Sequence, residues 1–297
     1  MRLLSRLGPF LGILVFVPAL ARAQNTVGVE VDEVTDNRVA AEMLRGSLDV
    51  RVKLKGGSVL EKAAAARVLV KEAKDNLGTN LFDASSSKPD FEPREYNNGT
   101  INFGLLSPPR NASSAKIKGV VELFSPGRDP ASTVKVEKAL AKQDAPLSSK
   151  ALAAAKINLR LLSRQGYIDE MKKHKLDDAA IASIRAEGKK HGASDKEIEM
   201  AIGMAKALDS MDAEPAEGSV ILAGKKADFD RIFRVEVLGD DGKPISTSGR
   251  ELSTRGDDSV MTLHPSDKPP ANASLQIQLL TEKSRVTSPF ELTVPLP

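Results

Sequence analysis

Alternation between apolar and polar residues in short segments is the feature that most constrains how this chain can fold. In residues 48–55 every second side chain is apolar and every intervening one is charged. The same period of two recurs in residues 68–70, 101–105, 134–136, 233–237, 275–279 and 290–294. Successive side chains of a β-strand point to opposite faces, so these segments are predicted to be strands with one buried and one solvated face.

Glycine, asparagine, aspartate and proline separate these segments. Turn sequences occur at residues 55–57, 75–78, 97–99, 107–109, 126–127 and 239–242. Short strands joined by such turns, with no helix between successive strands, are typical of an antiparallel sandwich or barrel rather than a parallel α/β sheet. The sequence predicts one β-sandwich domain at residues 24–162 and a second at residues 215–297.

Residues 163–214, between the two β regions, have a helical pattern instead. Three short helices are predicted at residues 167–174, 177–190 and 194–208. Ser194 and Glu197 have the spacing of a capping box at the start of the third helix. Behind it lies an apolar stripe of Ile198, Ile202, Ala205 and Leu208. This segment is predicted to be a helical bundle or linker between the sandwiches.

The two β regions have a similar order of segments. Residues 67–70 correspond to 234–237, residues 100–103 to 259–262, residues 115–117 to 274–277, and residues 133–136 to 291–294. A duplication would explain this correspondence. Shared turn composition, which recurs in all β proteins, would also produce it.

The order of strand, Asp-x-Gly turn, strand, proline-rich loop and final Phe-x-Leu-x-Val strand resembles the bacterial immunoglobulin-like modules of surface and periplasmic proteins. The chain has no Trp and no Cys, so the resemblance concerns architecture and not the Cys pair and Trp of antibody-type domains. It implies a fold class of mainly β with an α segment, with two antiparallel immunoglobulin-like β-sandwiches joined by the helices. It implies no particular activity, because one fold hosts many functions.

The amino terminus has the pattern of a cleaved signal peptide, residues 1–23. Arg2 and Arg6 precede an apolar stretch at residues 11–17, and Ala21-Arg22-Ala23 is a small-x-small cleavage site before Gln24. A transmembrane helix needs about 20 apolar residues, and this stretch is shorter. We therefore expect a periplasmic or secreted protein with no transmembrane anchor after cleavage.

Charge and cysteine content exclude several classes of function. Three of the 43 basic residues lie in the predicted signal peptide, which leaves 40 to balance 40 acidic ones. A balanced chain lacks the basic excess of nucleic-acid-binding proteins, so no nucleic-acid partner is expected. The absence of cysteine excludes a thiol nucleophile, a thiolate metal site and the lipid-modified cysteine of lipoproteins.

Sequence motifs for catalysis are also missing. The chain has no Gly-x-Ser-x-Gly, no Gly-x-Gly-x-x-Gly and no phosphate-binding loop. Its three histidines, His174, His191 and His264, have no metal-ligand spacing. No catalytic residue, cofactor or metal ligand is therefore assigned, and the sequence favours a non-catalytic role.

The residues predicted to contact a protein partner are Met200, Met204 and Tyr96. The two methionines lie one helical turn apart, and methionine is the usual side chain of adaptable contact surfaces. Tyr96 lies in a long polar loop, residues 84–98. The function expected is that of an exported binding or structural protein that works by protein–protein contact.

Two alternatives remain open from the sequence. One is an enzyme with a site on the loops at residues 84–98 and 108–111. The other is a periplasmic metal-binding protein that uses the thioethers of Met200 and Met204 with His191, since soft ligands suit Cu(I).

Overall fold

The computed structural model describes residues 27–37, 46–84, 89–93, 99–173, 178–210 and 214–297. Strands make up 45% of the described residues and helices 24%, which confirms the prediction of a mainly β protein with an α segment. The chain divides into two compact units. The first ends at Phe124 and also contains Val286–Pro297, and the second is Ser125–Arg285.

The first unit is a sandwich of two sheets. Its strands are β1 (Gly28–Asn37), β2 (Ser47–Lys55), β3 (Ala65–Asp75), β4 (Glu92–Pro93), β5 (Thr100–Leu106), β6 (Ser114–Phe124) and β15 (Arg285–Pro295), with a short helix α1 (Gly57–Glu61) after β2. The sheets have the orders β1-β2-β5 and β15-β6-β3-β4. The alternating apolar residues of β2, such as Val50, face those of β3, β6 and β15, such as Ile117 and Val294, in one core.

The second unit is also a sandwich of two sheets, with the orders β12-β13-β10-β9-β8 and β11-β14-β7. Its strands are β7 (Thr133–Val136), β8 (Ala145–Pro146), β9 (Leu159–Leu162), β10 (Val220–Lys225), β11 (Ile232–Leu238), β12 (Thr247–Arg255), β13 (Asp258–Pro265) and β14 (Ser274–Leu279). Its helices are α2 (Lys150–Ala154), α3 (Arg164–Lys173), α4 (Asp178–Lys190), α5 (Asp195–Ser210) and α6 (Lys226–Phe229), with single 3-10 turns at Pro126–Arg128, Pro130–Ser132 and Ala139–Ala141. Leu222 of β10 and Ile277 of β14 belong to the core between the two sheets.

The units divide at other residues than the predicted domain boundaries of 162 and 215. Strands β7, β8 and β9 precede residue 163 but belong to the second unit, and β15 follows residue 215 but belongs to the first. The helices at residues 164–210 do not join the sandwiches, because they lie between β9 and β10, which are hydrogen-bonded neighbours in one sheet. Alternation shows which face of a strand is buried, whereas the partner strand is decided by long-range packing.

Both units repeat one order of elements. A strand (β2 or β10) is followed by a short helix (α1 or α6) and then by a strand (β3 or β11), and later strands complete the same pairings. Thus β2 pairs with β5 as β10 pairs with β13, and β3 pairs with β6 as β11 pairs with β14, all antiparallel. The first three correspondences found in the sequence fall on these strands. Residues 67–70 and 234–237 lie in β3 and β11, residues 100–103 and 259–262 in β5 and β13, and residues 115–117 and 274–277 in β6 and β14.

The last strand of each repeat is exchanged between the units. Strand β7, which follows β6 in the chain, pairs with β14 through partners such as Val134 and Ile277. Strand β15, which follows β14, is the neighbour of β6. The Leu296 amide donates to the Ser113 carbonyl at 3.0 Å, and Lys116 forms a 2.6 Å ion pair with Glu291. Along the β6 segment the contacting residue advances from 113 to 116, while its partner in the β15 segment goes back from 296 to 291. Strand β15 therefore lies antiparallel to β6.

The helical segment has two parts. Helix α3 packs through Met171 and Tyr167 on the outward face of the five-stranded sheet, against Ile221, Ala223 and Val260. Helices α4 and α5 form a hairpin in which Arg185 and Glu199 make a 2.8 Å ion pair. Within the described part of the chain, no helix is both long enough and apolar enough to cross a membrane.

Candidate binding site

Helix α5 has apolar side chains on two sides. Ile198 and Ile202, which belong to the predicted apolar stripe, are only 4% and 2% exposed. Met200 and Met204, predicted to contact a partner, are 59% and 62% exposed. The helix therefore packs one apolar side inside the protein and presents a second one to solvent.

The exposed side of α5 continues beyond the two methionines. Gly203 and Ala207 are also exposed, and together with Met200 and Met204 they have the i, i+3, i+4, i+7 spacing of one helix face. A Cβ atom built on Gly203 would meet no atom within 4 Å. We call these four residues the methionine face. It carries no charge and has an open position at Gly203, where another backbone can come close.

The start of α5 is fixed by the capping box predicted from the sequence. The Ser194 hydroxyl lies 3.3 Å from the Glu197 amide, and the Glu197 carboxylate accepts from the Ser194 amide at 2.7 Å. The bond from the Ser194 hydroxyl to the same carboxylate lowers the pKa of Glu197. The cap sets where the helix begins and hence which residues share the methionine face.

Two further residues were candidates from the sequence, Tyr96 for partner contact and His191 for metal binding. Tyr96 lies outside the described residues, as does most of its loop. His191 directly follows α4, and its Nε2 lies 2.9 Å from the carboxylate of Glu187 on that helix. This nitrogen therefore already has a hydrogen-bond partner. Over the part of the chain that the structure describes, no group of three or more His, Asp or Glu side chains could hold a metal ion.

A groove of about 830 Å³ in the second unit was not predicted from the sequence. It lies between α2, α3 and one end of the five-stranded sheet. Buried side chains such as Leu152, Leu159 and Val260 form its apolar lining. Its residues are spread from Pro146 to Val260, and no local pattern connects them, so only the folded chain reveals it.

Ion pairs organise one wall of the groove. The Glu170 carboxylate on α3 accepts from Arg160 on β9 at 2.7 Å and from Lys173 at 3.0 Å. Burial acts to raise the pKa of Glu170, but the hydrogen bonds from Arg160 and Lys173 outweigh it, so the pKa lies below its ordinary value. Lys225 and Asp258 form a second pair at 2.7 Å, across β10 and β13.

Comparison with known protein families, with curated proteins and with solved structures found no match to this chain. The two surfaces of this chain that bear on its function are the methionine face and the groove.

Proposed function

We propose that this chain is an exported, non-catalytic binding protein that contacts a helix of a protein partner through the methionine face of α5. The observation that carries the proposal is the exposure of Met200 and Met204 on a helix whose opposite apolar side is already buried. Large exposed apolar side chains at helical spacing mark contact surfaces in soluble proteins.

A partner helix suits this face for geometric reasons. Met200 and Met204 are flexible and can adapt to the side chains opposite them. Gly203 lies between them with open space above it, which allows a helix to approach closely. The charged residues at the border, Glu199 and Lys206, would remain solvated at the rim of the contact, as in typical interfaces.

Export supports this role and has its own test. The apolar stretch at residues 11–17 and the Ala21-Arg22-Ala23 site favour a protein of the periplasm or the extracellular space. Amino-terminal sequencing of the protein from its native cell should start at Gln24. A chain that retains Met1 in a cytoplasmic fraction would contradict export.

Site-specific photo-crosslinking tests the contact. A photoreactive residue at position 203 of the full chain should capture a defined partner in the native cell, and one at position 183 on α4 should not. Met200→Lys with Met204→Lys should reduce capture about tenfold, because a lysine would have to be desolvated in an apolar contact. The matched control is Ala182→Lys with Ala186→Lys, two exposed positions one turn apart on α4.

The control pair should leave capture unchanged. Equal losses with both pairs of lysines, or no product at position 203, would contradict the proposed contact. Circular dichroism of both variants verifies that the helices are intact.

A further inference from the structure

The groove of the second unit is a separate feature from the methionine face. We propose that this groove binds a small amphipathic anion, an aliphatic chain that ends in a carboxylate. The proposal does not depend on the protein contact proposed above, because no residue of the methionine face lines the groove.

Size and lining favour an aliphatic chain. A volume of about 830 Å³ is within the range of sites for small organic ligands. Leu152, Leu159 and Val260 are buried and border the groove, and Met171 closes it from α3. An apolar ligand would displace water from this lining, which is the main source of affinity in such sites. Among the residues that the structure describes, no aromatic side chain lines the groove, so these residues provide no ring on which a sugar or a base could stack.

Charge favours an anionic head group. Of the described residues, four cations and two carboxylates line the groove: Lys150, Arg160, Lys225, Arg255, Glu170 and Asp258. Both carboxylates are engaged, Glu170 with Arg160 and Asp258 with Lys225. The lining therefore has an excess of positive charge that attracts an anion and repels a cation.

Lys150 is the cation best placed to meet the head group. It is exposed at the first position of α2, on the border of the groove, and the described residues form no ion pair with it. An exposed ammonium group can reach a carboxylate at the mouth of the groove while the aliphatic chain lies on the apolar lining. The head group would then remain partly hydrated, which lowers the cost of binding a charge.

Two exposed alanines on α2 provide a matched test. Ala153 lines the groove, whereas Ala154 is exposed and does not line it. A phenylalanine at position 153 would occupy the groove, and one at position 154 would not. Both substitutions add the same side chain to the same short helix, so a difference between them reports on the groove and not on the stability of α2.

The experiment is a calorimetric titration of the purified protein with decanoate and with decyltrimethylammonium, which has the same chain and the opposite charge. We expect decanoate to bind and the cation to bind at least about tenfold more weakly. Ala153→Phe should weaken decanoate binding by about tenfold or more, and Ala154→Phe by less than about twofold. Lys150→Glu should weaken decanoate binding severalfold and reduce the ratio of the affinity for decanoate to that for decyltrimethylammonium.

Vesicles of phosphatidylglycerol distinguish a free anion from a membrane lipid as the source of the chain. We expect sedimentation of the protein with these vesicles to be absent or unaffected by Ala153→Phe. Equal binding of the two decyl compounds, equal effects of the two phenylalanine variants, no binding of decanoate, or binding to vesicles alone would each overturn the proposal.

Discussion

The carboxylate of Glu170 on helix α3 forms an ion pair with Arg160 on strand β9. Its side chain is only 11% exposed, and it accepts hydrogen bonds from Arg160 and Lys173. Burial of a carboxylate without partners would favour the neutral form, and these two cations reverse that preference. Removing the charge at position 170 would leave Arg160 at the edge of the groove without its acceptor, which costs more than the loss of an exposed ion pair.

The depressed pKa of Glu170 predicts acid sensitivity. A group whose pKa is lower in the folded state stabilises the fold in full above its unfolded pKa, near 4.5 for glutamate. That contribution is lost as the pH falls through the folded pKa. We expect Glu170→Gln to lower the free energy of unfolding at about pH 7 and to lower it much less at about pH 3. Chemical denaturation at both pH values measures the two differences.

A control for this prediction is Glu199→Gln, which removes the exposed ion pair with Arg185. Exposed pairs contribute about 0–1 kcal/mol, so this variant should change little at either pH. A Glu170→Gln effect that does not depend on pH would show that packing, and not the charge, accounts for the loss.

Residue-scale features differ in how far the sequence predicts them. The bond between Ser194 and Glu197 was predicted because both partners lie within one turn of a helix. The pairing of Glu170 with Arg160 joins a helix to a strand, and nothing in the local sequence distinguishes Glu170 from the other carboxylates. The groove was not predicted for the same reason, since its lining comes from seven separate elements, α2, α3, β8, β9, β10, β12 and β13.

At the scale of elements, the helices at residues 164–210 were predicted from the sequence, but their place in the sheet topology was not. The sequence predicted helices at residues 167–174, 177–190 and 194–208, and the structure has them at Arg164–Lys173, Asp178–Lys190 and Asp195–Ser210. Local periodicity and capping are sufficient to define such helices. Their insertion between β9 and β10 was not predicted, because a strand pairing that spans the whole hairpin leaves no local signal.

Gly188 and Gly203 predict opposite responses of this hairpin to the same change. A Cβ on Gly188 would lie 2.7 Å from the Cγ1 of Ile198, whereas one on Gly203 would meet nothing within 4 Å. We expect Gly188→Ala to destabilise the hairpin by up to about 2 kcal/mol, because overpacking against Ile198 costs more than the gain in helix propensity of about 1 kcal/mol. Gly203→Ala should stabilise it by up to about 1 kcal/mol, because alanine favours the helix. Amide hydrogen exchange of α4 and α5 measures both effects, and destabilisation by Gly203→Ala would contradict the open position.

At the scale of the whole molecule, the distinctive feature is the exchange of β7 and β15. The sequence matched residues 133–136 to 291–294 as equivalent last strands, and both segments do lie beside equivalent partners, β14 and β6. The sequence did not show that each lies in the unit of the other repeat. Two strands of similar pattern satisfy either sheet locally, so connection and long-range packing decide between them.

Two buried valines predict the consequence of the exchange. Val294 of β15 is fully buried in the core of the first unit, and Val136 of β7 is buried in the core of the second. Val294→Ala should destabilise the first unit by about 2 kcal/mol, and Val136→Ala should do the same to the second, because each removes two buried methyl groups. Hydrogen exchange should therefore increase in β3 and β6 for Val294→Ala, and in β11 and β14 for Val136→Ala. Each valine serves as the control for the other. If Val294→Ala instead increases hydrogen exchange in β14 and leaves β6 protected, each last strand lies in the sheet of its own repeat. That result would contradict the swap of β7 and β15 between the units.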